Sequence, residues 1–126
     1  MKRYLTLLLC IFTVCACDIN INEINLIPDN LELDSGAQTV AVTADHDIVT
    51  IGCDIADTDS ESHGESYVDG VFIRTGDWFR IEFTYEHPRE IIVKVDENDS
   101  GKDRKVSIYA TRRAGSADCI ITQKSK

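Results

Sequence analysis

Apolar and polar residues alternate with a period of two along most of the chain. In 78–86, Phe79, Ile81, Phe83 and Tyr85 fall on one side, and Arg80, Glu82, Thr84 and Glu86 on the other. Successive side chains of an extended chain point to opposite faces, so this pattern predicts a strand with one buried face. The same period predicts strands over 30–35, 38–44, 47–53, 89–95, 105–111 and 118–123, with Val49, Ile51 and Cys53 together on the third. Clusters such as "DSGAQ", "EHPRE", "DENDSGKD" and "RRAGSAD" separate them and supply turn residues. No stretch carries an apolar stripe at helical spacing over three turns. Short strands with a turn about every 8–12 residues predict an all-β sandwich. The polar, acidic segment 54–70 is expected to hold a long loop.

The N-terminus breaks this pattern. Lys2 and Arg3 precede an uncharged apolar run from Tyr4 to Val14. As a helix it would rise about 16 Å, roughly half of a bilayer's hydrocarbon core, which is too short to span. A basic start and a short apolar run read as an export signal. The run ends in Val14-Cys15-Ala16-Cys17, which resembles the bacterial lipobox. That resemblance implies cleavage before Cys17 and acylation of its thiol, with residues 1–16 discarded and 17–23 left as a tether. Two or more acyl chains give the stable anchoring that one does not. A metal cluster of Cys10, Cys15 and Cys17 would place soft ligands in an apolar run with no acid or His beside them. The expected partner of this end is therefore a lipid bilayer, and the expected location the cell envelope, with the outer membrane or cell surface favoured.

Processing would leave 110 residues, enough for one domain, 24–126. The remaining 11 bases face 22 acids, a balance that argues against nucleic acid as a partner. The charge is uneven. From Asp18 to Asp69 there are 13 acids and no Lys or Arg, whereas 11 bases and 9 acids follow from Arg74 onward. A solvated acidic surface accounts for this, and so does one strongly negative side of the fold.

"INLIPDNLELDSGAQTVAVTAD", "GDWFRIEF", "IIVKVDENDSGKDRKVSIYAT" and the closing "CIITQ" together resemble the BACON domain, the Bacteroidetes-associated carbohydrate-binding module. The likeness runs over about residues 24 to 123. It follows a strand–proline–strand opening, a Trp-led strand, an Asn-bearing turn before Arg and a strand, and a last strand ending in Gln. It implies an immunoglobulin-like sandwich of about seven or eight antiparallel strands, with a role in glycan or mucin contact or as a spacer. The chain departs from the family where an earlier Trp is common, having Ile48 or Val49 there, and in the length of 54–70.

Several residues invite chemistry. Strict alternation puts Trp78 beside Arg80 and Glu82, away from the Phe79 face. An exposed indole there would stack on a sugar ring while Arg80 and Glu82 bond its hydroxyls. A turned strand end would instead bury Trp78 in the core or at its rim. Tyr67, Phe72 and Tyr109 are further aromatic candidates. Cys53 and Cys119 remain after processing, either as buried thiols or as a disulfide that export permits. "DENDSGKD" starts like a calcium loop at Asp96, Asn98, Ser100 and Gly101, but Ser107 stands where a bidentate Glu is needed. A hairpin turn uses the same residues. Asp57, Asp59 and Glu61 offer oxygens in a stretch whose composition is that of a solvated loop. His46, His63 and His87 share no ligand spacing, so neither a metal nor another cofactor is expected.

No nucleophile motif, zinc-protease motif or phosphate loop occurs, so the chain is expected not to be an enzyme. Two roles follow. One is a lipid-anchored binding or adhesion module touching glycan. The other is a spacer or structural lipoprotein that contacts another envelope protein. The exposure of Trp78 separates them.

Overall fold

A computed structural model describes residues 23–55 and 64–126, with Asp54, Ile55 and Gly64 described by backbone alone. The expected signal segment, Cys17, His63 and the Asp57–Glu61 oxygens lie outside the described residues. The strands are β1 (Leu26–Ile27), β2 (Asn30–Leu33), β3 (Gln38–Ala44), β4 (Thr50–Ile55), β5 (Gly64–Val68), β6 (Val71–Thr75), β7 (Phe79–Thr84), β8 (Glu90–Val95), β9 (Arg104–Arg112) and β10 (Gly115–Gln123).

They form two sheets, ordered β1-β3-β8-β7-β6-β5 and β2-β10-β9-β4, and the fold is an all-β sandwich. Every pair is antiparallel except β2–β10, which is parallel and departs from the expected all-antiparallel arrangement. β1 and β2 are separated by Pro28 and Asp29 alone, with the Ile27–Pro28 bond cis, and they join opposite sheets.

Inward residues line up in rows across the strands. In the six-stranded sheet one row runs Val42, Ile91, Phe83, Phe72, Tyr67. Its first three members are buried, Phe72 is half-buried and Tyr67 is 63% exposed. The next row runs Val40, Val93, Ile81, Arg74, Glu65 and opens to solvent at the same end. The four-stranded sheet supplies Ile121, Val106, Ile108, Ala110, Cys53 and Ile51 from the other side. Its edge strand β4 ends the cover over β6, and the six-stranded sheet continues past it. Burying apolar side chains contributes about 1.5–3 kcal/mol for each large one, so these rows hold the two sheets together.

The hairpin β5–β6 occupies part of the segment expected to be a loop. Asp69 and Gly70 take positive φ, 52° and 80°, as a two-residue turn of the type that matches strand twist requires.

Candidate interaction site

Trp78 precedes β7, in a tight turn where the Gly76 N–H donates to the Phe79 carbonyl at 3.0 Å. A Cβ at Gly76 would lie 2.2 Å from the Phe79 ring, so only glycine lets that ring close over the turn. The turn breaks the alternation. Trp78 is buried alongside Phe79, with the two rings edge to face at 5.1 Å and only 5% of the indole residue exposed. The exposed sugar platform at Trp78 is thus corrected: the indole belongs to the core.

The residues behind the family likeness meet around it. The Arg104 guanidinium lies 4.7 Å above the Trp78 ring, close enough for a cation–π contact. Its Nε donates to Gln123 Oε1 at 3.0 Å, and its Nη2 to the carbonyls of Asp96 and Glu97. Gln123 is fully buried, and its amide donates to the carbonyls of Asp96 and Gly36. Asn98, also fully buried, donates to the carbonyls of Lys102, Gln123 and Lys124. Its Oδ1 accepts from the Ser100 hydroxyl at 2.6 Å and the Ser100 N–H at 3.2 Å. Buried polar groups are costly unless bonded, and here each finds its partners inside the fold. The calcium-like stretch is therefore neither a calcium loop nor the expected hairpin turn: it carries the chain from β8 to β9 in the opposite sheet, with its Asn98 oxygen taken by Ser100. Trp78, Asn98, Arg104 and Gln123 form a structural knot at one end of the sandwich.

Arg80 and Glu82 lie on the outer face of the six-stranded sheet, and they are not beside Trp78's ring. Arg80 pairs with Glu82 at 2.7 Å, and Lys94 on the neighbouring strand reaches the same carboxylate at 3.2 Å. The Trp78–Arg80–Glu82 ligand constellation does not form.

Cys53 and Cys119 are two buried thiols, not a disulfide. Ile108 pairs with both, so the cysteines stand two strands apart in one row. Two strand spacings amount to about 9–10 Å, beyond the roughly 7 Å that a disulfide can bridge. Burial pushes the Cys119 thiol up to about 11, leaving it unreactive.

The far end of the sandwich carries a hollow of about 420 Å³ between Asp47 and the β7–β8 turn, His87–Arg89. Of its charged groups Arg89 bonds Asp47 at 2.8 Å, and Glu86 and Glu90 line it as well. His46 stands 3.0 Å from Asp45, whose carboxylate also accepts from the N–H and side-chain amide of Asn25. Those bonds hold the Asp45 carboxyl far below its usual range. Among the described residues, no group of three His, Cys, Asp or Glu is placed to hold a metal ion.

What remains is the flank where the sandwich cover ends. A small cleft of about 50 Å³ runs between Thr50 and Ile51 of β4 and Glu65, Phe72, Phe83 and Tyr85. Tyr67 stands beside Phe72 in the same row, and Tyr85, 59% exposed, donates its hydroxyl to the Val49 carbonyl at 3.1 Å. Arg74 Nε is buried there without a hydrogen-bond partner. All residues from Glu65 to Gly70 are exposed, and β5 has no strand on its far side among the described residues. The sequence signal for this flank is Tyr-Val-Asp-Gly-Val-Phe, a turn pair between β-forming residues, hidden by the acidic stretch before it. It brings together Tyr67 and Phe72 of the aromatic candidates. Tyr109 lies on the outer face of the other sheet, over Gly52.

No protein family and no curated protein matches the chain. Solved structures do. A protein from Bacteroides thetaiotaomicron, determined by NMR, superposes with a TM-score of 0.54 at 9% identity over 78% of this chain and 77% of that one. This likeness shows the fold alone. A Bacteroides ovatus GH5 xyloglucanase matches at TM-score 0.48 and 12% identity, and an endo-fucoidan hydrolase of family 107 at 0.49 and 10%. The chain covers 82% and 86% of its own length in these matches, but spans only 19% and 14% of those two enzymes.

Proposed function

We propose that this protein is a non-catalytic lipoprotein of the bacterial cell envelope, held at a membrane by acylated Cys17, whose BACON-like sandwich binds another envelope protein. The observation that carries the protein-contact role is the β5 edge, open among the described residues, where Tyr67 and Val68 are 63% and 52% exposed. An exposed edge strand is a template for pairing with another chain, and native folds usually blunt it. The burial of Trp78 supports the same reading, because the chain's single indole is engaged by Arg104 and not offered to a sugar.

The test has two parts. Labelled palmitate and membrane fractionation of the full chain should show acylation and membrane association, both lost in Cys17→Ala. A photo-crosslinking residue at position 67 in intact cells should then trap one discrete envelope protein, while the same residue at 109 does not. Failure to label would overturn the anchor, and equal trapping from both positions would overturn the site.

A second reading, glycan contact, rests on the neighbouring Tyr67, Phe72 and Glu65. Aromatic rings beside a carboxylate suit the apolar face and hydroxyls of a sugar. Saccharide-array binding by the full chain, lost in Tyr67→Ala, would select it over protein contact.

A further inference from the structure

The β5–β6 register fixes which backbone groups face outward. A two-residue hairpin loop is flanked by a hydrogen-bonded pair, and bonded and non-bonded pairs then alternate along the ladder. The loop is Asp69-Gly70, so Val68↔Val71, Ser66↔Ile73 and Gly64↔Thr75 are the bonded pairs. Glu65 and Tyr67 are the non-bonded ones. Their N–H and C=O groups therefore point away from β6, to the edge that carries no strand among the described residues, as four backbone groups in register for one more strand.

We infer that this edge takes an extended, Lys- or Arg-bearing segment of another protein as a seventh strand of the sheet. The inference rests on the protein-contact reading above and names the partner's chemistry. Two observations select it. Glu65 is exposed and stands on the same face as Tyr67, and Asp69 is exposed at the turn, so the described edge carries two acids and no base. The chain from Asp18 to Asp69 adds no Lys or Arg at all. Like charges directly opposite in a sheet destabilise it and opposite ones stabilise it. A second copy would lay Glu65 and Asp69 against the same acids, on a chain of net charge −9. A basic strand meets them with complementary charge, and its β-branched or aromatic positions would sit beside Tyr67 and Val68. Main-chain bonds supply affinity in this mode, and alternate side chains supply specificity.

The probe is a synthetic peptide alternating Lys with Val, compared with its Glu-for-Lys counterpart, titrated into the full chain in a non-ionic detergent. Amide resonances of Glu65 and Tyr67 should shift with the Lys peptide and not with the Glu peptide, and added salt should weaken the effect. Tyr67→Pro removes an outward N–H that β6 does not use, so the sandwich should persist while affinity falls about tenfold or more. Glu65→Lys should reverse the preference between the two peptides. A Lys peptide that shifts residues near Asp45 and Asp47 instead, or that binds Tyr67→Pro unchanged, overturns the edge site and leaves the protein-contact role standing. Concentration-dependent dimerisation lost in Tyr67→Pro assigns the edge to a second copy and overturns the basic partner. No peptide binding together with saccharide binding overturns both readings.

Discussion

Arg104 is bound from two sides by residues far apart in the chain: its guanidinium carbon lies 4.7 Å from the Trp78 ring centre, and its Nε donates to Gln123 Oε1 at 3.0 Å. Removing it strands the fully buried Gln123 amide oxygen and takes a charged donor from the carbonyls of Asp96 and Glu97, the first of which keeps the Gln123 amide. Arg104→Ala should therefore destabilise the fold by about 2–4 kcal/mol. Arg104→Lys should recover only part of this, because an ammonium cannot reproduce the guanidinium's planar fork. Urea unfolding followed by Trp78 fluorescence measures both. A loss below about 1 kcal/mol in Arg104→Ala would contradict the knot.

Asp45 ties the segment before β1 to the β3 end by accepting from Asn25 N at 2.7 Å and Asn25 Nδ2 at 2.9 Å. Its folded carboxyl titrates below its unfolded one, with those bonds as the main cause. The stabilisation is accordingly complete above the unfolded value, about 3.9, and is lost as pH falls toward the folded value. The gap in melting temperature between the parent and Asp45→Ala should stay constant from neutral pH to about 5 and close under about 4. A gap that widens on acidification would refute the assignment.

Gly52 and Tyr109 pair across β4 and β9, with the ring laid over the glycine. A Cβ at position 52 would sit 2.1 Å from the Tyr109 ring, so Gly52→Ala must expel it. The expected cost is about 1–3 kcal/mol. Tyr109→Ala in the same chain should remove most of that cost, giving a clear coupling in a double-mutant cycle. Additive losses would mean the ring does not rest there.

Alkylation of the unfolded, unreduced chain should modify Cys53 and Cys119 completely, since Ile108 holds them apart. In the folded chain both should react slowly, being buried. A peptide map that recovers them joined would reverse the thiol assignment.

Much of the architecture was readable because the pattern of one residue in, one residue out survives wherever two sheets face each other. Phe79, Ile81 and Phe83 point inward as their spacing requires. Tyr85 does not follow them, because β7 ends at Thr84 and the chain turns. On β4, Ile51 and Cys53 turn inward but Val49 is exposed, and Ile48 before the strand is buried in its place. Trp78 escaped the periodic reading because Gly76 bends the chain just before the strand begins. The β5–β6 hairpin stayed hidden for a different reason. Its two strands extend past the opposing sheet, so no strict alternation marks them, and an acidic stretch runs directly into the first. The flank that the sequence reads as loop is thus where the candidate site stands. Asn98, Arg104 and Gln123 were visible as a likeness, and only their mutual bonds reveal what they do.

The change of sheet between Ile27 and Asn30 has a mechanical side. Residues Leu26 and Ile27 are sewn to β3, and Asn30–Leu33 lie along β10, so eight consecutive residues stitch the two layers into one seam. Tension arriving from the N-terminal side meets β1 and its two residue pairs first, and the four-residue β2 ladder behind it. Peeling the first leaves the second, and with it the second layer, still fastened. The load is handed on in steps between layers and does not fall on one sheet alone, which suits the N-terminal anchor proposed above.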